Sequence, residues 1–471
     1  ENSWRIYATD LYVTKNQQIQ FCDSLHLQQL YLPVGNNWFV TQQNLFFFGK
    51  LLGVSFYGSV LNVNEKINPN PHFPKNTFDD VLLQADSSAL LQNTSAWDSL
   101  RPAPLAMEER EDFIIKDSIK YIKEKRLDSI EKRNNKINFR FPLQVALTGK
   151  NFYQTSKKYE FRMDGFLKGL NINPVEGFNT QFNYTWTKEI HQGDYFSISF
   201  NNRYGFNNGR YNPSLNFRYF YRKKYLTDFS LNGGLQIRQF NNNNPVNERI
   251  NDLYYLFDHS NFLKIYQSQF LYLSYKSEFG HGFSFGTNLL YENRIPLVNL
   301  SQFPVISTAQ SILANYPVEL TAQPFATHAA VKWVSFISWK IKTKYLSVNN
   351  KRYMLRSKYP ELKLRFVQGI PKIFNSEVEY NTWDFNVNYN IKLGLVGNLK
   401  LDYNIGGFLN KNSVFTPDYT HYNTNQLILS DYNANNFQAL PYYSFSNTEK
   451  FYFTCFNEYK LNGFLTDKIP L

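Results

Sequence analysis

The sequence predicts an all-β protein: a transmembrane antiparallel β-barrel, preceded by a partial periplasmic antiparallel sheet and one charged helix. About 12 barrel strands are visible, and bacterial barrels with an even number of about 12 to 16 strands would accommodate them. Three observations carry this prediction. They are an aromatic yet polar composition, a long series of strands with two-residue alternation, and a regular alternation of short and long links.

The composition combines aromatic side chains with overall polarity. The 471 residues include 43 Phe and 34 Tyr, so aromatic residues make up 18% of the chain, yet the mean hydropathy is −0.46. Strands with one apolar face and one polar, water-exposed face explain both the high aromatic content and the low mean hydropathy. A barrel in a bilayer requires such strands. No stretch approaches about 18 uncharged apolar residues, which excludes a transmembrane helix. Composition alone also fits a large soluble β-sandwich or barrel.

The charge and the cysteines exclude further classes. The net charge is +12, but the basic residues are scattered along strands and turns and form no stripe, so nucleic acid is not an expected partner. Outer-membrane lipid and anionic lipopolysaccharide explain the positive charge more simply. Cys22 and Cys455 lie far apart in the chain, and two cysteines make neither a disulfide framework nor a zinc site.

The first 140 residues divide into a sheet and a linker. Residues 1–75 read as about four antiparallel strands and are assigned to a partial periplasmic β-sheet domain. Residues 76–140 are assigned to a linker, within a loop-like stretch that begins at residue 65. This linker contains a charged amphipathic helix over 104–134. That helix has apolar residues at three- and four-residue intervals, namely Phe113, Ile115, Ile119, Ile122 and Ile130.

Two-residue alternation dominates residues 141–471, which are assigned to the outer-membrane barrel. In 382–393, for example, Trp383, Phe385 and Val387 take one face, while Asp384 and Asn386 take the other. Such strands exceed the usual length of about five or six residues and match the nine to eleven that cross a bilayer. The predicted strands are 160–172, 178–190, 194–206, 212–225, 228–240, 264–278, 281–294, 326–344, 359–371, 380–394, 397–409 and 443–459.

The links between these strands alternate in length. Outer-membrane barrels have short periplasmic turns and longer outer loops. Here the short links (188–195, 223–228, 278–283 and 395–398) and the long ones (241–261, 295–325 and 410–442) fall on opposite ends of the strands, with 345–358 as an intermediate inner turn. A soluble sandwich has no reason to obey this parity, which therefore favours the barrel.

No motif in the sequence points to catalysis. The seven histidines show no pairing at metal-ligand spacing, and no nucleophile elbow of the G-x-S-x-G type occurs. We therefore expect no catalytic residues, no metal site and no cofactor, and we expect that the protein is not an enzyme.

Several segments occur together in a recognisable order. They are Trp97 followed by Arg101-Pro102-Ala103-Pro104-Leu105 and Glu108 or Glu109, then Asp117-Ser118-Ile119, the turn Pro174-Val175-Glu176-Gly177-Phe178, the strand from Tyr359-Pro360 to Gly369, and the last segment, 461–471. With these segments the chain resembles a Bacteroidota outer-membrane family of unknown function. Members of that family carry an N-terminal carboxypeptidase-regulatory-like domain, and the barrel is distantly similar to the Omp85 superfamily. The resemblance implies that the chain is truncated at both ends.

The resembling segments also supply the candidate contact residues. Arg101 with Glu108 or Glu109 would form an ion-pair latch between linker and barrel, or would serve only in helix capping and turn formation. Glu176 with Gly177, at an outer turn, would fold inward as a lumen contact. The remaining candidates are Trp97, Pro102, Tyr359, Pro360 and Gly369.

Three functions remain open at this stage. The favoured one is a non-enzymatic outer-membrane barrel with a periplasmic N-terminal part, acting as an accessory or partner subunit in outer-membrane or surface-protein biogenesis or secretion. The second is a channel or receptor for a small, possibly anionic ligand, selected by Arg218, Arg222, Arg238 and Lys392 in the lumen. The third is a structural surface protein that acts through its long loops. A plug formed by residues 135–158 is a further option.

Overall fold

The computed structural model describes most of the chain. The described residues are 5–17, 22–51, 54–74, 77–85, 94–101, 104–105, 107–135, 141–191, 193–221, 225–300, 312–348, 351–427, 435–438 and 440–461. They fold as two compact units, one comprising Glu1–Asp79 with Gln92–Phe113 and the other Asp80–Leu91 with Ile114–Leu471.

The first unit contains a four-stranded antiparallel sheet and a short helix. Its strands are β1 (Ala8–Thr14), β2 (Ser24–Val34), β3 (Asn37–Leu51) and β4 (Val54–Val63), and they pair in chain order. A helix, α1 (Thr94–Leu100), follows in the segment expected to be loop. Its TSAWDSL sequence opens with Thr94, a residue type favoured at helix starts.

A 29-residue helix, α2 (Met107–Asn135), occupies the position predicted for a charged helix at 104–134. Its charged residues make it polar, and its first half exposes Phe113, Ile114, Ile115 and Ile119. Among the described helices, none combines the length and the apolar character needed to cross a membrane.

The second unit is built on an antiparallel sheet of 14 strands, which confirms the predicted all-β class. The strands are β6 (Gly149–Gln154), β7 (Tyr159–Asp164), β8 (Leu170–Asn173), β9 (Gly177–His191), β10 (Asp194–Gly205), β11 (Tyr211–Tyr221), β12 (Thr227–Gln239), β13 (Ile265–Gly280), β14 (Phe283–Pro296), β15 (His328–Lys340), β18 (Glu361–Ile370), β19 (Glu379–Lys392), β20 (Asn398–Ser413) and β23 (Tyr452–Lys460). From β6 to β23 each strand pairs with its neighbours along the chain, and β8 pairs beside β7 on β9.

The remaining elements lie in the links of this unit. They are the strand β5 (Val81–Ala85), the helices α3 (Phe141–Leu147) and α4 (Glu248–Phe257), the hairpin of β16 (Tyr345–Val348) and β17 (Lys351–Met354), and the two-residue strands β21 (Thr424–Asn425) and β22 (Phe437–Gln438). We call one end of the 14-stranded sheet the short-link end, because the turns at 191–194 and 280–283 connect strands there. We call the opposite end the long-link end, because the links 240–264 and 414–451 connect strands there.

Three local expectations were wrong. The predicted strand 160–172 is two strands, β7 and β8, because a 3-10 turn over Phe166–Gly169 separates them. The predicted inner turn 345–358 is the hairpin β16–β17, and β5, from the expected loop, pairs with β16 in parallel. Residues 149–154, placed in a possible plug, form β6 at the edge of the sheet and pair with β7.

The core of the second unit lies at the long-link end of the sheet. It gathers buried apolar residues from the turn before β9, the ends of β12 and β13, and the long links, namely Val175, Phe240, Val246, Leu263, Ile265, Tyr266, Leu297, Phe325, Leu427, Tyr442 and Tyr443. Because the long links supply eight of these eleven residues, they are packed parts of the fold and not free loops.

Candidate functional site

A group of five charged side chains, four of them buried, lies on the polar face of the sheet, at its long-link end. We call it the arginine cluster, and it consists of Arg238, Glu292, Arg294, Lys332 and Asp418. Two-residue alternation puts Glu292 and Arg294 of β14 on the same face, next to Arg238 of β12 and Lys332 of β15. Asp418 comes from the long link that follows β20.

Arg294 is the centre of the cluster. Its guanidinium donates to Glu292 at 2.9 and 2.7 Å and to Asp418 at 2.5 and 2.6 Å, so it binds two carboxylates at once. Arg294 and Glu292 are both fully buried. Lys332 Nζ lies 3.0 Å from Glu292 and 3.3 Å from Asp418, and Arg238 donates to Glu292 at 3.0 Å. Three cations therefore face two carboxylates, which leaves a single positive charge in excess.

Neutral groups complete the hydrogen bonding of the two carboxylates. The Tyr380 hydroxyl donates to Asp418 at 3.0 Å, and the Ser268 hydroxyl donates to Glu292 at 3.0 Å. Gly369 makes room for Tyr380, because a Cβ at this position would lie 2.8 Å from the tyrosine ring. A buried carboxylate is tolerated when its oxygens are fully hydrogen-bonded in this way.

The arginine cluster fixes the link that follows β20 against the sheet. Besides Asp418, the ring of Phe415 stacks on His328 at 3.6 Å between centroids. The Asn242 amide donates to the Pro417 carbonyl, at 3.2 Å, so the link between β12 and β13 holds the same segment. The long links thus pack on the polar face and on each other.

A second buried ion group joins the turn before β9 to α4. Arg203 of β10 donates to both oxygens of Glu176, at 3.0 and 2.6 Å, and also binds Glu248 at 3.0 Å. Glu248 is the first residue of α4, whose N-terminus is capped by the Asn247 side chain. Glu176 is fully buried against Arg203, and whether it faces a lumen stays a prediction.

The turn that carries Glu176 is shaped by its neighbours. Asn173 accepts from the backbone N–H groups of Val175 and Glu176 and donates to the Glu176 carboxylate at 2.9 Å. Gly177 has φ +64, and a Cβ there would lie 2.3 Å from Asn207, so both the backbone and the space require glycine.

The other candidate contacts are dispersed. Trp97 is a half-exposed residue of α1, and Arg101 pairs with Asp98 at 2.7 Å and lies over the Phe113 ring. Pro102 and the side chain of Glu108 lie outside the described residues, so the proposed latch stays a prediction. Tyr359, just before β18, receives Lys342 over its ring at 4.7 Å. The Pro360 carbonyl accepts from the backbone of Ile341, at the same end of the sheet.

Of the basic side chains expected to select anions, two are engaged in ion pairs, one is exposed at the end of a strand, and one lies outside the described residues. Arg218 pairs with Asp228, and Arg238 belongs to the arginine cluster. Lys392 is exposed at the short-link end of β19, and Arg222 lies outside the described residues. Within the described part of the chain, no group of three or more His, Cys, Asp or Glu residues is placed to hold a metal ion.

A cavity of about 600 Å³ lies beside the arginine cluster. Lys332, Tyr380 and Asp418 form part of its wall, and the strands β12–β15, β18–β20 and β23 supply most of the rest. The residues from 241 to 243 and from 418 to 423 close it at the long-link end.

Sequence reasoning missed most of the arginine cluster. Glu292 and Arg294 carry a usable signal, because two opposite charges two residues apart in an alternating strand must share a face. Asp418 carries none, since it lies in a link 124 residues from Arg294 and only the folded chain brings the two together.

Comparison with known proteins identifies a family and no close relative. Residues 143–471 match the model of the C-terminal domain of the family of unknown function DUF5686, and residues 1–67 match the model of that family itself. This confirms the expected resemblance to a family of unknown function. Searches of curated proteins and of solved structures found no match.

Loss of Asp418 should destabilise the fold far more than loss of an exposed aspartate. Asp418→Asn leaves a second uncompensated positive charge in a buried cluster, which we expect to cost about 3–5 kcal/mol in the free energy of unfolding. Asp228→Asn, which breaks the exposed pair with Arg218, should cost at most about 1 kcal/mol. Urea unfolding in detergent micelles measures both, and equal losses would contradict the central role of the cluster.

His421 should make the fold sensitive to mild acid. Burial is the main cause that lowers the pKa of His421 to about 4, and it outweighs the Thr416 carbonyl and Asp418, which favour the charged form. The unfolded pKa is about 6.5. The folded state therefore binds fewer protons between these values, so stability present above pH 6.5 is lost as the pH falls through about 4, by at most about 3 kcal/mol.

This loss can be assigned to one side chain. In His421→Gln, the difference in unfolding free energy between pH 7 and pH 4.5 should shrink, whereas His191→Gln, at an exposed position, should leave it unchanged. The same pH dependence in His421→Gln as in the parent protein would exclude His421 as its source.

Proposed function

The chain belongs to DUF5686, a family of unknown function, and we propose that it is a non-enzymatic outer-membrane β-barrel closed at its long-link end by its own loops. In this proposal the barrel works with partner proteins in outer-membrane or surface-protein biogenesis or secretion. The observation that carries the proposal is a continuous apolar band on the face of the sheet opposite the arginine cluster.

Large apolar side chains with substantial exposure follow one another across seven consecutive sheet strands. They are Phe200, Leu215, Leu231, Leu271, Leu273, Leu289, Trp333, Ile337 and Leu364, each between 39% and 55% exposed. The strand register places them on one face, since Leu231 lies opposite Leu273, Leu273 opposite Leu289, and Leu289 opposite Trp333. Soluble monomers rarely expose a contiguous apolar surface of this extent.

Lipid is the environment that fits such a band. The sheet strands β9 to β15 and β18 to β20 contain 10 to 16 residues each, enough to cross a bilayer when tilted. Closure of the sheet between β6 and β23 is part of the proposal, because lipid cannot satisfy the backbone groups of an open edge. The long links 240–264 and 414–451 lie at one end of the strands and the turns at 191–194 and 280–283 at the other, where the longer link 341–360 carries the β16–β17 hairpin. Short periplasmic turns and longer outer loops are typical of outer-membrane barrels.

The packed links favour a closed barrel over an open channel. Both ion groups tie links to the polar face at the long-link end, and an apolar core lies among the same links. A porin keeps a water-filled passage. Links that bury charge and apolar area against the wall would have to unpack before a passage opened.

The first unit supports a role with partner proteins. Its sheet exposes Tyr12, Phe46 and Tyr57 on one face and Leu11 and Val60 on the other. Exposed apolar surface of this kind is typical of protein contacts. The resemblance of the barrel segments to the Omp85 superfamily points to protein biogenesis as the process, with lipid and lipopolysaccharide as the surroundings of the barrel in a Bacteroidota outer membrane.

A charge in the middle of the apolar band should destabilise the membrane-embedded protein. Leu271→Arg, seven residues into the 16-residue strand β13, should cost about 2–4 kcal/mol in lipid vesicles. Leu253→Arg is the matched control, since Leu253 is similarly exposed but lies on α4 in a long link. Urea titration of the protein folded in vesicles compares the two, and similar small effects would remove the support for a lipid-facing band.

Native purification tests the role with partners. The tagged full-length protein, extracted from its own membranes with a gentle detergent, should retain envelope assembly or secretion proteins in stoichiometric amounts, identified by mass spectrometry. A tagged barrel of unrelated function from the same membranes controls for carry-over. Recovery of the protein alone would contradict the role as a partner subunit and would leave the membrane-barrel part of the proposal standing.

A further inference from the structure

We infer that the cavity beside the arginine cluster is a binding site for a small neutral polyhydroxylated ligand, of the oligosaccharide class. The inference goes beyond the proposed role, because it concerns a small molecule and not a partner protein. It rests on the size of the cavity, the hydrogen-bonding groups and aromatic rings in its wall, and the pairing of its charges.

The size of the cavity suits a small ligand. Its volume is about 600 Å³, within the range of about 300–1,000 Å³ typical of ligand pockets. All of its walls come from the second unit, and eight strands together with two long links contribute to them. A site assembled from so many elements of one sheet is formed before a ligand arrives, which lowers the entropic cost of binding.

Asparagine is the most frequent residue type in the wall. Eight asparagines line the cavity, namely Asn241, Asn242, Asn243, Asn288, Asn386, Asn404, Asn423 and Asn435. Each amide offers an acceptor and two donors, and a sugar hydroxyl both donates and accepts, so the two match. The side-chain oxygens of Asn404 and Asn423 are buried without a hydrogen-bond partner among the described residues, and a hydroxyl would satisfy them.

The charges of the wall are balanced. Arg238, Lys332 and Arg365 stand against Asp384, Asp402 and Asp418, three cations against three carboxylates. Arg365 donates to Asp384 at 2.6 Å, and the other two cations belong to the arginine cluster. The single excess positive charge of the arginine cluster is offset by Asp402, so the wall as a whole has no net charge to attract an anionic ligand.

Among the described residues, no cation pairs with Asp402, which is held by amides instead. Its oxygens accept from the amides of Asn386, Asn388 and Asn435, each at 2.8 Å. A carboxylate held in place by amides is a fixed acceptor, and the hydroxyl groups of a neutral ligand are donors that suit it.

Aromatic rings form one side of the cavity. Tyr422 packs against Phe437 at 6.2 Å and against Tyr452 at 5.7 Å, and Phe437 packs against Phe456 at 4.6 Å. Rings of this kind give apolar contact area for the C–H faces of a sugar at little cost in side-chain entropy. The Tyr452 hydroxyl also accepts from Asn404 at 2.9 Å, so that ring and amide are held together.

Calorimetric titration of the full chain tests the inference directly. The protein is purified in a detergent without a sugar head group and titrated with maltotriose, cellotriose and triacetylchitotriose, and with trigalacturonate as an anionic trisaccharide of similar size. We expect saturable binding of at least one neutral trisaccharide and binding of trigalacturonate at least about tenfold weaker, because the wall has no excess cation.

Substitutions locate the site. Asn404→Ala and Tyr452→Phe should each weaken the binding of the neutral trisaccharide about three- to tenfold, the loss expected for one hydrogen bond between uncharged groups. Asn232→Ala, on the polar face of β12 but outside the wall of the cavity, should leave binding unchanged.

Three results would overturn the inference. They are the absence of saturable binding by all three neutral trisaccharides to the unaltered protein, equal or tighter binding of trigalacturonate, and equal weakening by Asn404→Ala and Asn232→Ala. The first two need no variant, so a variant that fails to fold does not leave the question undecided. None of them bears on the partner proteins, whose recovery is measured separately.

Discussion

The contact between Arg294 and Asp418 organises the second unit, because it joins the wall of the sheet to the link that closes it. A single guanidinium binds Glu292 of its own strand and Asp418 of the link, with both arginine and glutamate fully removed from water. The segment that this contact places also stacks Phe415 on His328, accepts a hydrogen bond from Asn242 at the Pro417 carbonyl, and supplies part of the cavity wall.

Burying the four charges of Glu292, Arg294, Lys332 and Asp418 is a poor way to gain stability, since the loss of hydration offsets most of the attraction between them. Such a cluster instead fixes the position of the link that carries Asp418. An apolar contact tolerates sliding, whereas a guanidinium with two carboxylates at 2.5–2.9 Å permits one arrangement of the link. The ion pairs of Arg203 with Glu176 and Glu248 fix α4 in the same way. Ion pairs therefore position two links at the long-link end, and both links also pack in the apolar core.

Most of the long sheet strands were predictable, because their signal is local. Two-residue alternation predicted the strands 194–206 and 380–394, which are observed as Asp194–Gly205 and Glu379–Lys392. Successive side chains of a strand face opposite sides of the sheet, so the pattern can be read from neighbouring residues alone. The parallel pairing of β5 with β16 was not predictable, since it joins segments far apart in the chain. Of the site, Glu176 and Gly177 became candidates through the family resemblance of the turn that carries them, whereas Asp418 depends on a tertiary contact that no local pattern encodes.

The arginine cluster also sets the chemistry of the cavity. The cations of the upper wall are engaged by Glu292 and Asp418, and Arg365 by Asp384, so the basic composition of the chain does not produce a basic cavity. The remaining polar and apolar groups that line the cavity are mainly amides, aromatic rings and one amide-bound carboxylate, Asp402. A net charge of +12 is therefore a property of the surface and links, and selection inside the sheet depends on hydrogen bonding and ring contact and not on charge.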